Sequence, residues 1–244
     1  MQLEVIYEDK DILVCFKPAG IATQTASLSS QDMVSLIKNY LAKQTKEKSP
    51  YVGIIHRLDQ PVSGLLVFAK NQKAAAVLSK EIQDGTANKD YIACCSGILE
   101  NKEGKLVHYI MKDPVTKLAK TLDENAFVEL QEKKREESCS YKKSILTYEV
   151  EKEEDNSSII KVHLQTGRFH QIRAQFSNIG NSLLGDVKYG SSVSKELSMK
   201  KRINKIALCA NHLVLKHPTT GEKKEFTLQE KYLPNWYIDK EGIK

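Results

Sequence analysis

Two apolar runs, Tyr51–Ile55 and Gly64–Ala69, bracket the charged cluster His56-Arg57-Leu58-Asp59. Runs of this length and composition read as buried strands. The chain therefore leaves its core and returns to it across a turn carrying an imidazole, a guanidinium and a carboxylate. The flanking sequence extends the pattern. Leu3–Tyr7 and Ile12–Phe16 are short β-type runs joined by Glu8-Asp9-Lys10-Asp11, and Lys17-Pro18-Ala19-Gly20 then breaks the chain. Met33, Leu36, Ile37, Tyr40 and Leu41 recur at helical spacing and predict an amphipathic helix. Asn71 can cap a second helix running to about Gln83, with Gly85 as its stop, and Asp90–Ser96 resumes β character.

Further along, residues 131–140 are polar and charged and read as an exposed loop within the domain. Tyr141–Val150 and Ser158–Leu164 pair as a hairpin across the polar stretch Glu151–Ser157. From Gly167 to Ile179 the period becomes helical, with Gly180 as terminator, and Ile206–Leu215 and Lys224–Leu228 supply the last β segments. There is no internal repeat. Strands with a few interspersed helices, and no regular βαβ alternation, predict an α+β fold around a mixed, largely antiparallel sheet. A length of 244 residues suits one large domain, 1–244.

Composition narrows the class of partner. The formal charge is +6, from 37 Lys and Arg against 31 Asp and Glu, which suits a polyanion without demanding one. Five cysteines with no CxxC argue against a disulfide framework or a zinc site, and for a reducing compartment. No basic leader precedes an apolar stretch, and no apolar run approaches the roughly 20 residues of a membrane helix, so the expectation is a cytoplasmic protein away from membranes. Without a coiled-coil heptad, a monomer is the default.

Three segments carry candidate chemistry. Asp59 either accepts backbone hydrogen bonds in an ordinary turn, with Arg57 solvated, or is a carboxylate held on a rigid scaffold loop. In the segment 167–179, Phe169, Ile172, Phe176 and Ile179 form one helical stripe, and Arg173 falls on or beside it. A guanidinium buried there needs a carboxylate, for which Asp59 is a reasonable partner; otherwise it snorkels to solvent. Tyr91 either packs in a strand or offers a ring that stacks on a base and a hydroxyl for proton transfer.

Taken in order, Lys17–Gly20, HRLDQPVSGLLVFAKN (56–71), Lys89-Asp90-Tyr91, GRFHQIRAQFSNIGNSLLGDVKYG (167–190) and LCANHLVLKHP (208–218) resemble the motifs of the RluA-type pseudouridine synthases. The resemblance runs from about residue 5 to residue 234, and the pairing of HRLD…SGL with GRxHQIR is its specific part. It implies a mixed antiparallel sheet decorated with helices and isomerisation of uridine in ribosomal or transfer RNA. It also implies no cofactor, no metal and no obligate protein partner. Asp59 matches the family's catalytic aspartate, Tyr91 its active-site tyrosine and Arg173 the arginine that pairs with the aspartate. Arg57 matches a residue that helps displace the target base. RNA contacts are expected from Lys17, His56, Arg57, Arg168 and His170, and from the basic stretch Lys195–Lys205 with Lys200, Lys201, Arg202 and Lys205. Val62 stands where a threonine is usual, Phe169 where a small polar residue is, and Cys209 where a histidine is common. The small N-terminal RNA-binding domain of many relatives is not expected here. Two other readings compete: an RNA-binding protein with a vestigial site, and a glycoside or nucleoside hydrolase. Most such hydrolases use two carboxylates, and no second acid stands out beside the HRLD segment.

Overall fold

The computed structural model describes residues 2–25, 30–133 and 139–238. In chain order the elements are β1 (Glu4–Glu8), β2 (Ile12–Lys17), α1 (Met33–Thr45), β3 (Gly53–Ile54), β4 (Ser63–Ala69) and α2 (Gln72–Asp84). There follow β5 (Asn88–Ser96), β6 (Glu103–Lys112), β7 (Ala119–Leu122), α3 (Glu124–Glu132), β8 (Lys142–Glu154), β9 (Ser157–Leu164) and α4 (Gln171–Asn178). The chain ends with α5 (Ser192–Lys200), β10 (Leu208–Lys216), β11 (Lys223–Thr227) and α6 (Asn235–Ile238). Two compact units divide it: Met1–Lys89 with Cys209–Pro234, and Asp90–Leu208 with the chain from Asn235 on.

In the first unit the strand order is β1-β2-β4-β10, with β11 on β10 and β3 on β4. Ile12–Cys15 and Leu65–Ala69 are buried throughout, which is why these strands read as continuous apolar runs rather than alternating ones. β4 lies antiparallel to β2 from Ile12↔Ala69 to Lys17↔Gly64. Its other side is shared among three partners. β3 takes Ala69 and Phe68, the His56 ring takes the Val67 N–H through Nε2 at 3.3 Å, and β10 runs parallel beside Ser63 and Gly64. The charged cluster of the sequence leaves the sheet where this change of partner occurs. Gly64 is required at that point: its φ is +136°, and a Cβ there would collide with Ala210 on β10. The two predicted helices form, with Asp32 and Asn71 as N-caps and the left-handed residues Lys46 and Gly85 as stops.

The second unit orders its strands β5-β9-β8-β6-β7, antiparallel throughout. The β8–β9 hairpin runs further than its hydrophobic pattern, closing on Asp155-Asn156, both at positive φ as a two-residue type I′ turn needs. The expected loop at 131–140 is corrected in part: Gln131 and Glu132 belong to α3, and 134–138 lie outside the described residues. The predicted helix at 167–179 is shorter, because His170 is left-handed (φ 52°) and α4 starts after it. Helix α5 occupies much of the basic stretch; Ser191 caps it, and Leu197 with two serines makes its narrow buried face.

The fold is α+β, with β4–β10 the parallel pairing described. All five cysteines are free. Burial pushes the thiols of Cys15 and Cys95 up to about 12 and those of Cys94 and Cys209 to about 11, so these four act as packing residues. Among the described residues no helix is long and apolar enough to cross a membrane.

Candidate active site

The residues on either side of Asp59 are fixed through their main chains. One hydroxyl, Thr23 Oγ1, accepts from the Leu58 N–H at 3.2 Å and donates to the Leu58 carbonyl at 3.0 Å. On the other flank the Gln60 carbonyl accepts from the Gly20 N–H (2.8 Å) and from Lys17 Nζ (3.1 Å), while Gln60 Nε2 donates to the Gly20 carbonyl (3.0 Å). The Val62 N–H closes the turn on the Asp59 carbonyl at 3.0 Å. Leu58 and Val62 are buried, Asp59 is half-buried, and Arg57 and Gln60 are exposed. The loop therefore presents polar side chains from an anchored backbone, the arrangement that makes scaffold loops useful for chemistry.

Lys17, expected from sequence to meet phosphate, is a correction. Its side chain is wholly buried, and Nζ donates to the carbonyls of Pro18, Ile21 and Gln60 at 3.1, 2.7 and 3.1 Å. Burial pushes its ammonium down to about 8, opposed in part by the charge of Asp59. Lys17 is thus a structural cation within electrostatic reach of the carboxylate rather than a surface one. His56 is half-buried. Its Nε2 accepts from the β4 backbone, and burial and then the charge of Lys89 push it down to about 3, so the ring is neutral there.

In the second unit, Arg173 does not snorkel. It is 3% exposed, and its Nε and Nη2 donate to the two oxygens of Asp186, each at 2.8 Å. Asp186 in turn accepts from the N–H groups of Lys188 (2.9 Å) and Tyr189 (3.2 Å). Burial alone would raise the Asp186 carboxyl, but the bonds and charge of Arg173 with these amides outweigh it and hold it below the usual range. The guanidinium lies over the Tyr189 ring at 5.0 Å, and the Tyr189 hydroxyl accepts from the Ala119 N–H and bonds His170 Nδ1 at 2.8 Å. Asp186 and Tyr189 sit inside the Gly167–Gly190 segment, yet nothing in their spacing from Arg173 marks them as its partners.

The remaining predicted residues are placed as follows. Tyr91 is buried on β5 opposite Val162, while its neighbour Asp90 meets His163 Nδ1 at 2.6 Å on the other face of the sheet. Arg168 is exposed, its Nε on the Lys143 carbonyl, and its loop is pinned by the buried Gln171 side chain, which bonds Thr166, the Arg168 N–H and the Ile145 carbonyl. Phe169 stacks on His170 with ring centroids 3.8 Å apart, and Lys112 Nζ lies 4.9 Å from its centroid. Lys195, Lys200, Arg202 and Lys205 are exposed, whereas Lys201 pairs with Asp155 at 3.3 Å. One further cluster was not legible in the sequence: Asp9, Asp11 and His217 come together across 208 positions. Its atoms are engaged internally. Asp9 accepts from Tyr7, His217 and two amides, Asp11 from Asn71 and Thr219, and His217 Nδ1 from the Thr219 and Thr220 amides.

The family model described as RNA pseudouridylate synthase matches residues 11–178. A chain named an uncharacterized RNA pseudouridine synthase from Aquifex aeolicus is 34% identical over 241 residues, covering 93% of this chain and 69% of that one. Ribosomal large subunit pseudouridine synthase D of Zymomonas mobilis is 31% identical, covering 92% and 68%, and tRNA pseudouridine synthase C of Haemophilus ducreyi is 26% identical, covering 91% and 89%. The solved structure of human RNA pseudouridylate synthase domain containing 1 superposes with a TM-score of 0.70 at 22% identity over 96% of this chain and 85% of that one, a likeness of fold. Fold and matching sequence define the class as an RNA-modifying isomerase. The chain belongs to the RNA pseudouridylate synthase family, in its RluA branch, whose members isomerise uridine in RNA.

Proposed function

We propose that this chain converts a uridine of ribosomal or transfer RNA to pseudouridine, with Asp59 as catalytic carboxylate, Arg173 as its cationic partner and Tyr91 against the base. The observation that carries the reading is the Asp59 loop, which lies inside the family match and whose backbone is secured on both flanks. The reaction breaks N1–C1′, turns the uracil and forms C5–C1′; the C5 proton leaves and N1 gains one. Atoms and electrons balance, so no redox partner is called for. The reacting atoms of a stacked nucleotide are out of reach until it is flipped out, and the exposed Arg57 is suited to the vacated space. Asp59 acts either as nucleophile at C1′ or as base at C2′, and both routes use the ionised form. A guanidinium carries five N–H groups, so Arg173 can serve a second carboxylate beside Asp186.

Relatives named for ribosomal and for transfer RNA support both target classes. Phosphates are met by Arg168, His170 and the exposed cations of the 195–205 stretch, which position the RNA without reading its sequence. In this reading the two units work as one catalytic domain, cytoplasmic and monomeric, without cofactor or obligate protein partner. The test is carbodiimide mapping of pseudouridine in total RNA with and without the gene. Loss of one or a few sites, restored by the wild type and not by Asp59→Asn, is the expected result. Restoration by Asp59→Asn would remove Asp59 from the chemistry.

A further inference from the structure

A carboxylate that must meet one sugar carbon or its proton has little positional tolerance; a misplacement of about 1 Å can cost on the order of a hundredfold in rate. The backbone before Asp59 is set by a residue that the chemistry itself does not use. Thr23 is 3% exposed, and its one hydroxyl engages both main-chain groups of Leu58. Thr23 is itself fixed from behind: its carbonyl accepts from the Val34 N–H (3.2 Å) and the Ala22 carbonyl from the Met33 N–H (3.0 Å). These are donors of the first turn of α1, which no helical carbonyl can satisfy. Asp32, the cap of that helix, also accepts from the Thr25 N–H at 2.7 Å. An unbroken path of hydrogen bonds thus runs from the start of α1 through residues 22–25 to Leu58, and the Gly20–Gln60 bonds close it on the far side of Asp59.

We propose that Thr23 is a positioning residue of the isomerisation, holding Leu58 so that Asp59 meets the ribose in one geometry, with the Gly20–Gln60 bonds as the second half of the same clamp. The inference rests on the reading of Asp59 as the catalytic carboxylate. Thr23 is buried and acts through Leu58, so its removal slows the chemical step and leaves RNA affinity in place. A side chain that merely stabilised the fold would shift the melting temperature and leave turnover by the folded fraction unchanged.

The experiment uses the full chain and a transcript bearing the mapped site, labelled with tritium at C5 of uridine, and compares wild type, Thr23→Val, Thr23→Ser and Gln60→Ala. Thr23→Val keeps the shape and deletes the hydroxyl. Its kcat falls on the order of 30- to 100-fold with KM within about twofold, and Thr23→Ser returns to within a few-fold of wild type. Wild-type kcat in a folded Thr23→Val protein overturns the inference, as does an equal deficit in Thr23→Ser. Should Thr23→Val not fold, Gln60→Ala decides, since its side chain is exposed. A several-fold fall in kcat at unchanged KM supports the clamp, and no fall refutes it. Tritium release by Asp59→Asn near the wild-type rate in the same assay would overturn the Asp59 reading itself, which separates the two failures.

Discussion

The Asp59 loop and the Arg173 helix hold charged groups by opposite means. The loop is fixed through the N–H and carbonyl of Leu58 and the carbonyl of Gln60, with Thr23, Gly20 and Lys17 as partners. The helix fixes its guanidinium through the guanidinium itself, on a carboxylate that is fully buried. The difference predicts where substitution is tolerated. At position 59 the side chain can change while the clamp on its neighbours persists. At position 173 any truncation strands the Asp186 charge in the interior, where an uncompensated ion is costly.

The largest expected effect follows from that contrast. Arg173→Ala should lose about 3–5 kcal/mol of stability in urea titration, and a loss under about 1 kcal/mol would break the comparison. Next comes a pH dependence in the loop. His56 is held neutral with a folded value of about 3 against 6.5 unfolded, so the unfolded chain binds more protons between those values. Its contribution is full above pH 6.5 and falls as the pH drops toward 3, by about 2–4 kcal/mol after discounting for a ring that is only partly buried. A His56→Gln protein should show a flatter stability profile across that window; an unchanged profile would mean that the imidazole is not the group that titrates.

Lys17 gives a smaller effect on the alkaline side. Its folded value of about 8 lies below 10.5, so the burial cost is fully present below pH 8 and is relieved as the pH rises toward 10.5. Between pH 7.5 and 9.5 this group should add roughly 2 kcal/mol of relative stability. Lys17→Met, compared with wild type by denaturant at both pH values, should lack that rise, and a parallel rise in both proteins would count against it. The smallest effect sharpens the comparison from the loop side. Asp59→Asn should change stability by less than about 1 kcal/mol, and a loss as large as that of Arg173→Ala would mean that position 59 holds the fold together.

Much of the framework was legible because it is written locally. The helices at α1 and α2 announce themselves by spacing and caps, and β2 and β4 by unbroken apolar runs. Helix α4 is shorter than its apolar stripe because the spacing through Phe169 is helical, while the left-handed backbone at His170 leaves no mark in it. Helix α5 was hidden by its surface charges. The site was legible as motifs but not as contacts. A lysine beside proline and glycine is ordinarily exposed, and the burial of Lys17 depends on carbonyls that reach it from as far as Gln60. Thr23 and Leu58 are 35 positions apart, and neither side chain signals the other. Asp186 lies 13 residues from Arg173, a distance that no helical or strand period encodes.

The most direct test of the central claim is a paired measurement on purified wild type and Asp59→Asn: tritium release from C5-labelled uridine in the mapped RNA, and affinity for the same RNA. The account predicts release by the wild type, none detectable by Asp59→Asn, and affinities within a few-fold of each other. Release by Asp59→Asn near the wild-type rate would contradict it.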